Sequence, residues 1–226
     1  MRIIKKILVI IVSFFALQYI FASCNCVQSD GECRKEIRSL PNLKGLKVCV
    51  PAQIKLYQSD TCFFEISAPP KLLSHLIFRL DKGIFEIYSD RYICDSDIDI
   101  SVYSSELESV TAQNGAVVES VNYVNSSQEV RIIVKDEALV DLELQSDKVE
   151  VVNQDCGVLI LKGKTNFFEI TSSGLAKVVA SNLKAKNIEI QHGCSMGCYE
   201  YYDEVTHLYR PGQGNIYFKG RPVVTK

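Results

Sequence analysis

Tryptophan is absent from the 226-residue chain and methionine occurs twice, so 11 Tyr and 10 Phe must supply its large rings. Basic charge is not in surplus. Twenty-five Lys and Arg stand against 27 Asp and Glu, for a net charge of −2, which argues against nucleic acid as a partner. No Gly-rich loop follows a strand and opens a helix, so a nucleotide site is not expected. A Ser-centred nucleophile elbow is also missing, and none of the three His (His75, His192, His207) has a sequence partner that marks a triad. No catalytic residue, cofactor or metal is expected on these grounds. The N-terminal apolar run, residues 7–22, is 16 residues long, short of the roughly 20 that a spanning helix needs.

Cysteine, by contrast, is plentiful. Nine Cys are unusual for a reducing cytosol and ordinary for an exported protein. Hydrophobic residues at 47% and charged residues at 23% describe a folded chain rather than a disordered one. Arg2, Lys5 and Lys6 ahead of the apolar run give residues 1–23 the form of a signal peptide. The run ends in Phe21-Ala22-Ser23-Cys24, which resembles a bacterial lipobox, although Phe21 stands where an aliphatic residue is usual. Lipidation at Cys24 is the first expectation; ordinary cleavage nearby and an uncleaved anchor are the alternatives, and all three export the rest of the chain. Removing residues 1–23 takes away three positive charges and leaves −5. With Cys24 lipidated, eight Cys remain, an even number that permits pairing without specifying it.

The second half repeats itself. Units of 19 or 20 residues run over 106–125, 126–145, 146–165, 166–184, 185–203 and 204–222. Each joins two β-type runs through a turn of small or polar residues, among them Gln113-Asn114-Gly115-Ala116, Lys135-Asp136-Glu137-Ala138, Gln154-Asp155-Cys156-Gly157, Ser172-Ser173-Gly174-Leu175 and His192-Gly193-Cys194-Ser195. A unit this short cannot bury its apolar face alone, but stacked coils share one core. Parallel stacking in a β-solenoid is expected over an antiparallel sandwich of hairpins, because a near-constant period places equivalent residues in register. In the first half, residues 24–35 read as a polar tether. Leu72, Leu73, Leu76, Ile77 and Leu80 fall at helical spacing behind Pro69-Pro70 and predict one short helix. No linker separates the halves, so residues 36–226 are expected to form a single domain.

The order of these pieces resembles the head GIN domain family of auto-transporter adhesins, known mostly from exported Bacteroidetes proteins. The resemblance rests on Leu43-Lys44-Gly45-Leu46-Lys47-Val48, Gln53-Ile54-Lys55-Leu56-Tyr57-Gln58, the strand entry at Asp81-Lys82-Gly83-Ile84-Phe85-Glu86-Ile87, and the ending Gly212-Gln213-Gly214-Asn215-Ile216-Tyr217-Phe218. It implies an all-β fold, a right-handed parallel β-helix with coils of about 20 residues, on the cell envelope. The family transfers no catalytic residue.

Chemistry is sparse. His192-x-Cys194-x3-Cys198, with His207 in the following unit, holds zinc-type donors at a spacing that matches no standard zinc motif; Cys194 and Cys198 are instead candidates for a disulfide, with stacked or free thiols as the alternative. Asp95, Asp97 and Asp99 alternate along one strand side with no basic partner in sequence, and read as a solvated face rather than a catalytic pair. Tyr199, Tyr201, Tyr209 and Tyr217 are the candidate ligand-binding residues, since exposed rings stack on sugars or partner proteins; a structural aromatic ladder has the same composition. The expected function is a non-enzymatic binding or scaffold module of the periplasm or outer membrane, lipid-anchored, with an envelope protein or glycan as partner. A polysaccharide lyase or hydrolase on the same coil is the alternative.

Overall fold

A computed structural model describes residues 26–94, 97–126, 128–195, 199–202, 207–209 and 212–218. The chain opens with β1 (Arg34–Ser39), β2 (Gly45–Val48), β3 (Gln53–Gln58) and β4 (Phe63–Ala68), then one helical turn, α1 (Pro70–Leu73). A hairpin of β5 (Leu76–Asp81) and β6 (Ile84–Ser89) leads to β7 (Asp99–Ser104). The coils continue through β8 (Ser109–Ala112), β9 (Val117–Ser120), β10 (Val124–Asn125) and β11 (Glu129–Val134). Three long strands follow, β12 (Leu139–Asn153), β13 (Val158–Gly174) and β14 (Lys177–Cys194), and then β15 (Tyr199–Tyr202), β16 (His207–Tyr209) and β17 (Asn215–Phe218).

The expected β-solenoid is present, with about five turns of roughly 20 residues. Leu139 of β12 pairs in parallel with Val158 of β13, which pairs with Lys177 of β14, a step of 19 residues each time. The steps from Val117 to Leu139 and from Lys177 to Tyr199 take 22. Alternation drives the stacking: Val140, Leu142, Leu159, Leu161, Val178 and Ala180 point inward and are buried, while their neighbours face out. Turns at Asn114, Asp136 and Asp155 adopt positive φ and end on buried Ala116, Ala138 and Gly157, so each coil corners over a small residue. Gly163 makes a second bend. At φ +112° a Cβ there would strike the backbone carbonyl of Leu144 one coil away, so only glycine fits.

Stacking order departs from chain order. The β2–β3 coil sits between β6–β7 and β8–β9, pairing in parallel with both. The exposed end of β6–β7 is closed by antiparallel strands: β5 on β6, β4 on β7 and β1 on β4. Phe64, Phe78 and Phe85 pack beneath this cap, with ring centroids 5.2 and 4.7 Å from Phe64. The predicted helix is therefore reduced to residues 70–73. Leu76 and Phe78 serve the cap as the inward residues of β5, because pairing with β6 satisfies the backbone and buries Leu76. The expected tether is likewise fastened. A disulfide joins Cys26 to Cys94, and the buried Val27 bridges Ile93, its N–H donating to the Tyr92 carbonyl at 2.8 Å.

Candidate functional site

The sheet formed after each turn (β7, β3, β9, the leading halves of β12 to β14, then β15 and β17) carries aromatic and aliphatic side chains on its outer surface. Val117, Leu139 and Val158 lie in one column of register partners. Ile160, Val179, Tyr201 and Tyr217 lie in the next. The rings of Tyr201 and Tyr217 stack with centroids 4.8 Å apart, and 39% and 47% of the two residues is exposed. At the other end of the same sheet Phe63, Tyr103 and Tyr57 stack in series, 4.1 and 4.6 Å between centroids. The flank is charged: Lys162 Nζ donates to Asp141 Oδ1 at 3.1 Å. Of the four tyrosines expected to bind, Tyr201 and Tyr217 are thus brought together. Tyr199 and Tyr209 pair through their backbones with Lys177 and Gln191, and their side chains lie outside what is described.

The opposite outer face is a ladder of ion pairs. Lys148 lies 3.3 Å from Glu169 and 3.6 Å from Glu129, and Arg131 lies 3.5 Å from Glu150. The hydrogen bond to Glu169 holds the Lys148 ammonium above its ordinary pKa, against the opposing pull of partial desolvation. His75 follows α1, where its Nδ1 lies 2.9 Å from Asp90 Oδ1, a surface contact outside the core.

Asp97 and Asp99 are exposed, and Asp95 lies outside the described residues. The sequence offered these acids no basic partner; the fold brings lysines into the neighbourhood of one of them. Asp99 lines a shallow groove of about 500 Å3 with Glu65, Lys35 and Lys55, brought in by β4, β1 and β3.

One polar cluster is fully buried. His192 and Cys194 are inward residues near the end of β14, on the strand rather than in the predicted turn, and Glu200 faces them from β15. His192 Nδ1 lies 2.9 Å from Glu200 Oε2, and Cys194 Sγ lies 3.5 Å from Glu200 Oε1. Tyr202 donates its hydroxyl to Glu200 Oε2 at 3.0 Å. Neither ring nitrogen of His192 has a well-aligned hydrogen bond, and Ser172 Oγ, on its register partner one coil below, is also unsatisfied. Burial pulls the His192 pKa down, but Cys194 and Glu200 together outweigh it and raise it to about 9. Cys198, the proposed disulfide partner of Cys194, lies outside the described residues, as does the His207 side chain. The sequence reading missed Glu200. It occupies the inward column of Val140, Leu159 and Val178, where a carboxylate is unexpected, and only that column would have revealed it.

Comparisons with known proteins agree with this architecture. A crystal structure described as a "putative adhesin" from Bacteroides fragilis is 15% identical, covers 88% of this chain and 98% of its own, and superimposes with a TM-score of 0.69. A protein from Parabacteroides distasonis described as a "putative lipid binding protein" is 12% identical over 89% of this chain and 100% of its own, with a TM-score of 0.62. A second "putative adhesin" from that organism gives 15% identity over 89% of this chain and 100% of its own, at 0.59. Among curated proteins no match is found. The profile of one family, "Putative auto-transporter adhesin, head GIN domain", matches residues 42–222, which span the capped first coils and every repeat described above, and the chain belongs to that family.

Proposed function

We propose that the chain is a non-enzymatic β-solenoid of the cell envelope, exported and held to the membrane by a lipid on Cys24, that binds or scaffolds an envelope protein or glycan. The observation that carries this reading is the outer sheet surface from Val117 to Tyr217, where aliphatic columns end in two stacked, exposed tyrosines beside charged flanks. Flat apolar stripes with polar rims are how proteins recognise partners. The Cys26–Cys94 bridge supports an oxidising compartment, and the family supports a surface role.

Binding is tested by presenting the protein to a panel of glycans, envelope proteins and lipid vesicles, the last because one relative is described as lipid-binding. A hit should weaken at least about tenfold in Tyr201→Ala/Tyr217→Ala, the loss of one buried aromatic anchor. Undiminished binding in that variant would remove this surface from the proposal. Anchoring is tested by intact mass from the native host: a diacylated or triacylated Cys24 is expected, and an unmodified N-terminus elsewhere would refute it.

One observation favours the enzyme reading, the groove that sets Asp99 and Glu65 beside Lys35 and Lys55. Reproducible glycan cleavage that disappears in Glu65→Gln/Asp99→Asn would establish it over the binding module.

A further inference from the structure

We propose that His192, Cys194 and Glu200 form a buried zinc site that fastens the last coils of the solenoid. The ligand atoms of the three residues all lie within 4.8 Å of one another, and all three residues are buried. A tetrahedral zinc with bonds of about 2.0–2.3 Å sets neighbouring donors about 3.3–3.8 Å apart, and the 3.5 Å between Cys194 Sγ and Glu200 Oε1 falls in that range. Imidazole, thiolate and carboxylate are the donor types this borderline ion selects. Three protein donors leave the fourth position to a further ligand.

The surroundings call for a cation in this place, a role the His192 imidazolium fills in the bare cluster and a metal ion takes over by displacing its proton. A carboxylate with no solvent exposure is costly unless its charge is balanced. A thiolate, a carboxylate and a neutral imidazole around a divalent cation sum to zero charge. His192 Nδ1 and Glu200 Oε2 stand closer than the donors of a bound zinc, at 2.9 Å, the spacing of a proton-bridged pair that opens by a few tenths of an ångström to admit the ion. Tyr202 already donates to Glu200 from outside the triad, the arrangement that orients a ligating carboxylate. The location is specific within the fold. In the inward column of β11, β12, β13 and β14, Val134 gives way to Asn153, Ser172 and then His192, so this column turns polar toward the last coils.

The test uses the full chain, stripped with chelator and titrated with Zn2+ and with Co2+. One zinc per chain is expected after equilibrium dialysis. The cobalt form should show tetrahedral d–d absorption with a thiolate-to-metal charge-transfer band. Cys194→Ser should abolish that band, and Glu200→Gln should weaken binding at least about tenfold, while Tyr202→Phe retains all three donors and the band. Wild-type protein that takes up no stoichiometric zinc and shows no thiolate band would overturn the proposal, with no need for any variant to fold. Binding that survives Cys194→Ser with its spectrum unchanged would overturn it equally.

Discussion

Gly163 shows how much one backbone position can fix. Its φ of +112° and the nearby Leu144 carbonyl leave no room for a Cβ. Gly163→Ala should therefore destabilise by at least about 2 kcal/mol, combining left-handed backbone strain with a steric clash. Urea denaturation of this variant beside Lys164→Ala, an exposed neighbour expected within about 0.5 kcal/mol of wild type, measures the difference. The cysteines separate in the same way. Cys33 and Cys156 are exposed, whereas Cys49 is half-buried and burial raises its thiol pKa. Since the thiolate is the reactive form, iodoacetamide at mildly alkaline pH should label Cys33 and Cys156 before Cys49, as followed by peptide mass mapping. Equal rates would contradict the burial of Cys49. At this scale the sequence was partly legible. It singled out His192, Cys194, Tyr201 and Tyr217, all of which sit in notable surroundings, but not Glu200. The 22-residue step from Lys177 to Tyr199 breaks the period of 19, so a fixed-length alignment of units slides Glu200 out of the column it occupies.

Among the elements, the cap is the part that local pattern misrepresents. Leucines at 72, 73, 76 and 80 carry a helical period, yet only residues 70–73 form a helix. The remainder, β5, pairs antiparallel with β6, leaving Ile77 and Leu80 more than a third exposed. Hairpin pairing with β6 overrides a short periodic signal because it satisfies backbone groups and closes a coil end that would otherwise offer an open edge. The placement of β2–β3 between two later coils is non-local, and no spacing in the chain announces it. By contrast, the parallel stack from β8 onward was readable, since alternation and period agree there. If the cap guards the edge, loosening it should be felt twice. Phe64→Ala, which empties the cluster with Phe78 and Phe85, should cost about 3–5 kcal/mol and raise aggregation measured by light scattering. A destabilised variant that stays monomeric would show that the edge is protected by other means.

For the whole molecule, the 17 described strands form one continuous sheet wound on itself, with one main apolar cluster through nearly its full length and a small second one at Ala176 and Cys194. The Cys26–Cys94 bridge closes a long loop on this body, its two ends 68 positions apart in sequence. Cys94→Ser should lower stability by about 2–4 kcal/mol, read from denaturation midpoints, and make the protein insensitive to dithiothreitol to that extent. An unchanged midpoint would mean that the bridge holds a segment already fixed by Val27 and β1. The same bridge also sets how the molecule carries tension. Pulled from an N-terminal anchor against a partner held on the far coils, force enters at Cys26 and passes through the sulfurs to Cys94, at the doorstep of β7. The covalent path skips the chain between them, cap included, which is then held only by its pairing and packing. Only when the bridge is reduced does that stretch lie in series with the rest, free to release roughly 24 nm of extended chain at about 3.5 Å per residue.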